Sequence, residues 1–453
     1  MKYKGKTDLS SGSVEKNIMA IAIPMTLAEI LHLLYNVVDR IFIGHIPTEG
    51  SLALPGIGIC FPIISLVTAF SKLYGSNGGS PVFNIERGRG NDEEALYIQG
   101  SSFMLIVITG FLLSLIGLLF ARPLLFLFGA SEQTYPYAYA YFSIYLIGFV
   151  PSLITLGMNP FVNAQGYGFI GMGTTVIGAV CNLLLDPIFI FVFGWGIRGA
   201  AIATVISQVI SCVWILSFLF LSAPYKLSRR YMRLTRERTT RICTLGLSGF
   251  IMGATNSLVQ IVCNRAALFW GGDIYVGVMT VVNSIRDIIQ VPMSGIQSGA
   301  SPVMSYNYGA KRYSEVRKCN YFQLYTYIVY ALVMSGLIVL FPSIFTRLFS
   351  SSRELIDAAV TPTRVYFCCF VFMAFQSCGQ TAFVALGKAR HAVFFSLLRK
   401  VIIVVPLTIA LPFIFGSVGV VLAEPISNLL GGLAAYITMM RVTGKEFTLA
   451  DAA

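Results

Sequence analysis

Residues 78–88 read GGSPVFNIERG, and residues 299–309 read GASPVMSYNYG. Gly78, Ser80, Pro81, Val82 and Gly88 return as Gly299, Ser301, Pro302, Val303 and Gly309, each 221 positions further on. Each copy closes a long apolar run and, as sequence, opens a short charged loop. A lone Gly-Ser-Pro says little. Its return at half the length of a 453-residue chain, in the same context, marks an internal duplication. Gly166 and Gly387 repeat the same offset of 221.

The composition says where such a duplication sits. The chain is 56% hydrophobic and only 11% charged, against about 25% charged for a soluble domain. Twelve apolar runs cover 17–43, 52–76, 97–120, 135–158, 172–193, 199–221, 241–269, 275–300, 319–345, 362–384, 393–415 and 418–440. Each is near the roughly 20 residues that a membrane-spanning helix needs. The first run is too long for a secretory signal and is expected to remain as a helix. The expected fold is all-α and integral to the membrane, with residues 1–221 and 241–453 as two six-helix bundles. A basic cytoplasmic linker, 222–240, joins them. Six is even, so both halves start on the same side, and their pseudo-two-fold axis runs along the membrane normal.

The net charge of +12 follows this topology. With the N-terminus inside, alternate connections hold Lys2, Lys4, Lys6, Lys16, Arg87, Arg89, seven basic residues between Lys226 and Arg241, Lys311, Arg312, Arg317, Lys318, Lys388, Arg390, Arg441 and Lys445. That is 21 on one side against five on the other: Arg122, Arg198, Arg347, Arg353 and Arg364. The bias places both termini in the cytoplasm and needs no nucleic acid to explain it. The nine cysteines are scattered through apolar runs without metal-type or disulfide spacing.

Ionisable groups inside apolar spans cost about 2.5–3.5 kcal/mol each at the bilayer centre, so each needs a reason. Asp39 lies toward the outer end of the first span, in LYNVVDRIFIG, and Asp186 lies in the fifth, in CNLLLDPIFIF. Asn182 precedes Asp186 by one helical turn, so the two share a face. Pro187 lacks an N–H and leaves the Leu183 carbonyl without its usual donor. Carboxylate, amide oxygen and freed carbonyl on one face make an anionic pocket that suits a proton or a hard cation. Thr204, in GIRGAAIATVISQ, adds a hydroxyl, and Gly199, Ala200 and Ala203 let its helix approach closely.

With these residues in hand, the chain resembles the multidrug and toxic compound extrusion (MATE) family over nearly its whole length. The resemblance rests on Pro24 and LYNVVDRIFIG, on GSNGGSP, on NPFVNAQG and on NLLLDPIFIFVFGWGIRGAAIATVISQ. It implies twelve helices around a V-shaped cavity, and antiport in which an inward H⁺ or Na⁺ gradient drives export of small organic, cationic amphipathic compounds. It also implies a monomer in a prokaryotic cytoplasmic membrane, with no cofactor beyond the coupling ion. By residue-wise match the cation site comprises Asp39, Asn182, Asp186 and Thr204, with Tyr141 in support. Helix 10 offers Gln376 and Gln380 where another branch of the family has acids, which favours the DinF-like or MepA-like side.

Glu29 and His32 lie three apart on the first span and face the same way. With Tyr35, Met158, Asn159, Met279 and Asn283 they are the expected cavity wall, since thioethers and aromatics adapt to varied shapes. Pro24 and Pro187 are the expected hinges. Arg286, Asp287 and Glu424 are expected as structural partners or cavity-lining groups. The alternative, a flippase for lipid-linked or amphipathic polyanions, needs a strongly basic cavity, and Arg265 and Arg286 are its main candidates. An intramembrane enzyme is disfavoured: the only histidines are His32, His45 and His391, without HExxH or GxSxG.

Overall fold

Lipid-facing backbone must satisfy its own hydrogen bonds, so apolar runs of this length fold as helices. The computed structural model describes residues 7–44, 46, 50–349 and 352–451. Lys2, Lys4, Lys6 and His45 lie outside the described residues, as does the side chain of Arg40. The first helix, α1, runs Val14–Gly44. The others are α2 (Gly56–Gly88), α3 (Asp92–Leu119), α4 (Tyr135–Ala164), α5 (Gly168–Val192), α6 (Gly196–Ser222), α7 (Arg236–Gly272), α8 (Ile274–Gly309) and α9 (Tyr313–Leu340). After α10, a pair (Arg353–Phe367 and Phe372–Ala385) bent by 53°, come α11 (Ala389–Phe415) and α12 (Ser417–Phe447). Eleven are long and apolar enough to cross a membrane, and the bent pair makes the twelfth. Large apolar side chains such as Phe111, Leu119, Phe269 and Phe413 point outward, as lipid contact requires.

Buried side chains form two cores. One gathers residues from Ile43 to Leu245; the other gathers Val259 to Phe447 together with Leu9, Val14, Ile18, Ile21, Ala22 and Met25. The N-terminal half of α1 therefore packs on the C-terminal core. The connection between the halves contains one short helical turn, Arg229–Tyr231, and α7 begins at Arg236, inside the segment read as linker.

The repeated GxSPV stretches differ from the loop expected of them: both are helical. Gly and Pro punctuate soluble chains, but membrane helices tolerate them where neighbours re-satisfy the backbone. In the first copy, residues Gly75–Gly79 form a π-helical turn in which the Ser80 N–H reaches back to the Gly75 carbonyl, and the helix then runs on to Gly88. In the second copy the α-helix continues to Gly309. Turns appear only beyond both motifs, where Gly90 and Lys311, 221 apart, each adopt positive φ (81° and 59°). Gly166 and Gly387 also match, at 89° and 71°.

The two motifs meet each other. A Cβ on Gly88 would collide with the Tyr306 carbonyl, and a Cβ on Gly309 with the Ile85 carbonyl, a reciprocal contact across the pseudo-two-fold axis. Only glycine permits so close a backbone approach. Arg241–Glu86 (2.6 Å) and Arg238–Glu94 (2.7 Å) tie α7 to α2 and α3 at the same end. The halves are thus pressed together at the basic end of the molecule.

Candidate functional site

Asp186 ends the α-helical part of α5, and the chain passes through Pro187 into a π-helical turn, Ile188–Val192. The missing proline N–H is accommodated by this change of winding. The side chain of Asn182, one turn earlier, donates to Asp186 Oδ1 at 3.2 Å and lies 3.4 Å from Thr204 Oγ1. Thr204 in turn donates to the Ala200 carbonyl at 2.9 Å. Its helix comes close because Gly199 has no side chain: a Cβ there would stand 2.6 Å from the Phe189 carbonyl oxygen.

Asp39 reaches this group from α1, and its carboxyl lies within hydrogen-bonding reach of that of Asp186. Asp186 and Asn182 are 1% and 2% exposed, and Asp39 is half-buried beside them. Asn182 Oδ1 is buried without a hydrogen-bond donor among the described residues. Two carboxyls side by side in low dielectric cannot both carry bare charge; they share a proton or flank a cation. Tyr141 stands beside them, stacked on Tyr145 at 5.7 Å between ring centroids. Tyr35, expected in the cavity, instead accompanies the acid pair, within electrostatic reach of Asp39, Asp186 and Tyr145.

Sequence reasoning missed Tyr145 and Gln208. Gln208 donates to the Tyr145 hydroxyl at 2.8 Å and so joins α6 to the stacked tyrosines of α4. The signal was present as helical spacing: Tyr145 follows Tyr141 by four, and Gln208 follows Thr204 by four.

Between the halves lies a cavity of about 520 Å³. Met25, Glu29, Lys72 and Asn159 line it from the N-terminal half, and Arg286, Asp287, Gln376, Arg399 and Lys400 from the C-terminal half. Glu29 and His32 share an adjoining recess with Asp287, and the His32 ring lies tilted against Tyr35 at 5.3 Å between centroids. Pro24 lies inside α1 beside this wall. Asn159 donates to the Gly171 carbonyl at 3.3 Å. Met158 and Met279 are packed in the two cores, at 0% and 3% exposure, and Asn283 is half-buried on α8; none of these three is among the lining residues.

The cavity is more basic than expected. Arg265 is exposed and does not line it, whereas Lys72, Arg399 and Lys400 do. Arg399 donates to Gln376 Oε1 (2.6 Å) and to Glu424 Oε2 (2.9 Å), and Lys400 donates to Glu424 Oε1 (2.6 Å). Arg286 pairs with its neighbour Asp287 at 2.8 Å. The Arg-Lys pair was overlooked because basic residues in a span usually snorkel to the headgroups. Here the backbone of Leu398–Val404 is π-helical and both side chains turn inward, each 7% exposed.

Among known proteins, the chain is 25% identical over 450 residues to the multidrug export protein MepA of Staphylococcus saprophyticus, covering 95% of each. It is 24% identical over 448 residues to a FAD transporter of Shewanella oneidensis, covering 97% of each. In fold it is similar to a MOP superfamily transporter from Pyrococcus furiosus, described by a reverse polarity of its binding pocket that suggests a different function. That similarity has a TM-score of 0.90 at 22% identity and covers 98% of this chain and 99% of that one. The MatE family model matches residues 24–188 and 250–410, one segment in each half. With one matched segment in each duplicated half, this chain belongs to the MatE family, whose members are membrane transporters.

Proposed function

We propose that the protein is a cation-coupled antiporter that exports small amphipathic organic compounds from a prokaryotic cytoplasm by alternating access, with both termini inside. The observation that carries this reading is the contact of Asp39 with the buried Asp186, beside the donor-free Asn182 Oδ1. The coupling ion is H⁺ or Na⁺, held by Asp39, Asn182, Asp186 and Thr204 with Tyr141 in support. Ion entry neutralises the pocket, α1 rearranges about Pro24, and the cavity loses its cargo. An ion drives such a cycle only through its different affinity for the two states. The names of the relatives, a multidrug exporter and a FAD transporter, support small-molecule cargo moved across a membrane. We further propose that the protein acts as a monomer.

Glu29 and Asp287 provide the negative side that a cationic cargo needs. Lys72, Arg286, Arg399 and Lys400 outnumber them and favour a second reading, in which the cargo is anionic. The test of coupling uses sealed liposomes loaded with ethidium, with pH and Na⁺ gradients imposed separately. Efflux driven by one gradient and lost in both Asp39→Asn and Asp186→Asn is expected. Efflux that ignores both gradients, or survives both substitutions, overturns the assignment.

A further inference from the structure

We propose that the cargo carries an anionic group, phosphate or carboxylate, and that Arg399 and Lys400 are its docking site. This deepens the exporter reading and rests on it. The inference follows from pairing the charges around the cavity. Lys72 lies within electrostatic reach of Glu29, a base matched by an acid on the N-terminal wall. Arg286 is held at 2.8 Å by Asp287, a second matched pair. At the third group the match fails: Arg399 and Lys400 share the single carboxylate of Glu424, at 2.9 and 2.6 Å. One positive charge is left over, and it lines the cavity.

A surplus charge in a membrane interior is costly unless something meets it. Unused donors remain at this group. Arg399 Nε is buried and makes no hydrogen bond among the described residues. Lys400 has three donors and gives one to Glu424. Gln376 fixes the far edge of the Arg399 guanidinium. A planar guanidinium beside an ammonium is a fitting receiver for a phosphate or carboxylate, which takes charge-assisted bonds from both. Gln376, Gln380, Ser377 and Thr381 on α10 line the same wall and offer further hydrogen bonds to the polar end of such a compound. The site is built from α10, α11 and α12, away from the acid pair of α1 and α5.

The test compares flavin mononucleotide with riboflavin, which share a ring system and differ by one phosphate. Binding to the purified protein in detergent, with no gradient present, is read by flavin fluorescence and anisotropy. Flavin mononucleotide is expected to bind at least tenfold tighter than riboflavin, and the advantage is expected to shrink as salt rises. Lys400→Met leaves Arg399 and Glu424 as a matched pair, and Arg399→Gln leaves Lys400 and Glu424 so matched; either variant keeps the interior neutral. In both, the phosphate advantage should fall to within twofold. No saturable binding of the mononucleotide, equal affinity for the two flavins, or an advantage that survives both variants overturns the site. Efflux of flavin mononucleotide from sealed liposomes under the pH and Na⁺ gradients is run on the same preparations. Gradient-driven efflux without phosphate preference defeats the docking site alone, and phosphate preference without gradient dependence defeats the antiport reading alone.

Discussion

Corresponding helix pairs in the two halves hold buried charge of opposite sign. In the N-terminal half, α5 and α6 carry Asp186, Asn182 and Thr204, and α1 adds Asp39, which brings two acids together. In the C-terminal half, α11 and α12 carry Arg399, Lys400 and Glu424: two bases and one acid. α5 and α11 start 221 residues apart, at Gly168 and Ala389, so the duplicated scaffold is the same and the chemistry has diverged. The lesson is that a pseudo-symmetric transporter need not use its two halves alike. In the readings proposed above, one half holds the coupling ion and the other docks an anion.

The sharpest way to break this contrast is the same conservative change on both sides. Asp186→Asn removes one of two mutually repelling carboxyls, so thermal unfolding in detergent should be unchanged or shifted upward while gradient-driven efflux falls to the level of empty liposomes. Glu424→Gln strips the partner from two buried bases and should destabilise by about 3–5 kcal/mol, the range for an uncompensated buried charge. A fall in melting temperature for Asp186→Asn as large as that for Glu424→Gln would mean that the N-terminal acids are structural, and the contrast would collapse.

A smaller effect is expected at the axis where the halves touch. Gly88 and Gly309 each face the other half's backbone, at Tyr306 and Ile85. Alanine at either position forces the helices apart, at about 1–3 kcal/mol for overpacking. Because the contact is reciprocal, Gly88→Ala and Gly309→Ala should shift the melting temperature by similar amounts and raise the labelling of cysteines placed at this end. A shift in one and none in the other would show that the axis does not pass between them.

Much of this was legible in the sequence, and the remainder was hidden for identifiable reasons. The twelve spans could be read because lipid demands long apolar helices, and Asn182 with Asp186 because both lie on one helix face. Their contact with Asp39, more than a hundred residues earlier, could be inferred only from likeness to other chains. Tyr145 and Gln208 lie on the same helix faces as Tyr141 and Thr204, which spacing alone could show, but that the two meet each other across two helices could not be read from either spacing. Gly78 to Gly88 was misread because Gly, Ser and Pro signal a loop where water can reach the backbone. Arg399 and Lys400 were overlooked because a basic pair six residues into a span reads as snorkelling, and only the inward-turned π-helical segment reveals otherwise.

The smallest expected effect tests the duplication at a single turn. Gly90 and Lys311 occupy the same place after the repeated motif and share positive φ, yet Lys311 is the only non-glycine residue so disposed among the described residues. The first half therefore keeps a residue suited to the left-handed region, and the second half bears the strain of a Cβ there. Lys311→Gly should relieve it and stabilise the protein by about 0.5–1 kcal/mol, less the entropy that glycine restores to the unfolded chain. Gly90→Lys should cost a similar amount, so exchanging the two residues should leave the melting temperature near that of the parent. If Lys311→Gly destabilises instead, its side chain makes a contact at the basic end that outweighs the backbone strain, and the two turns are alike in shape but not in energy.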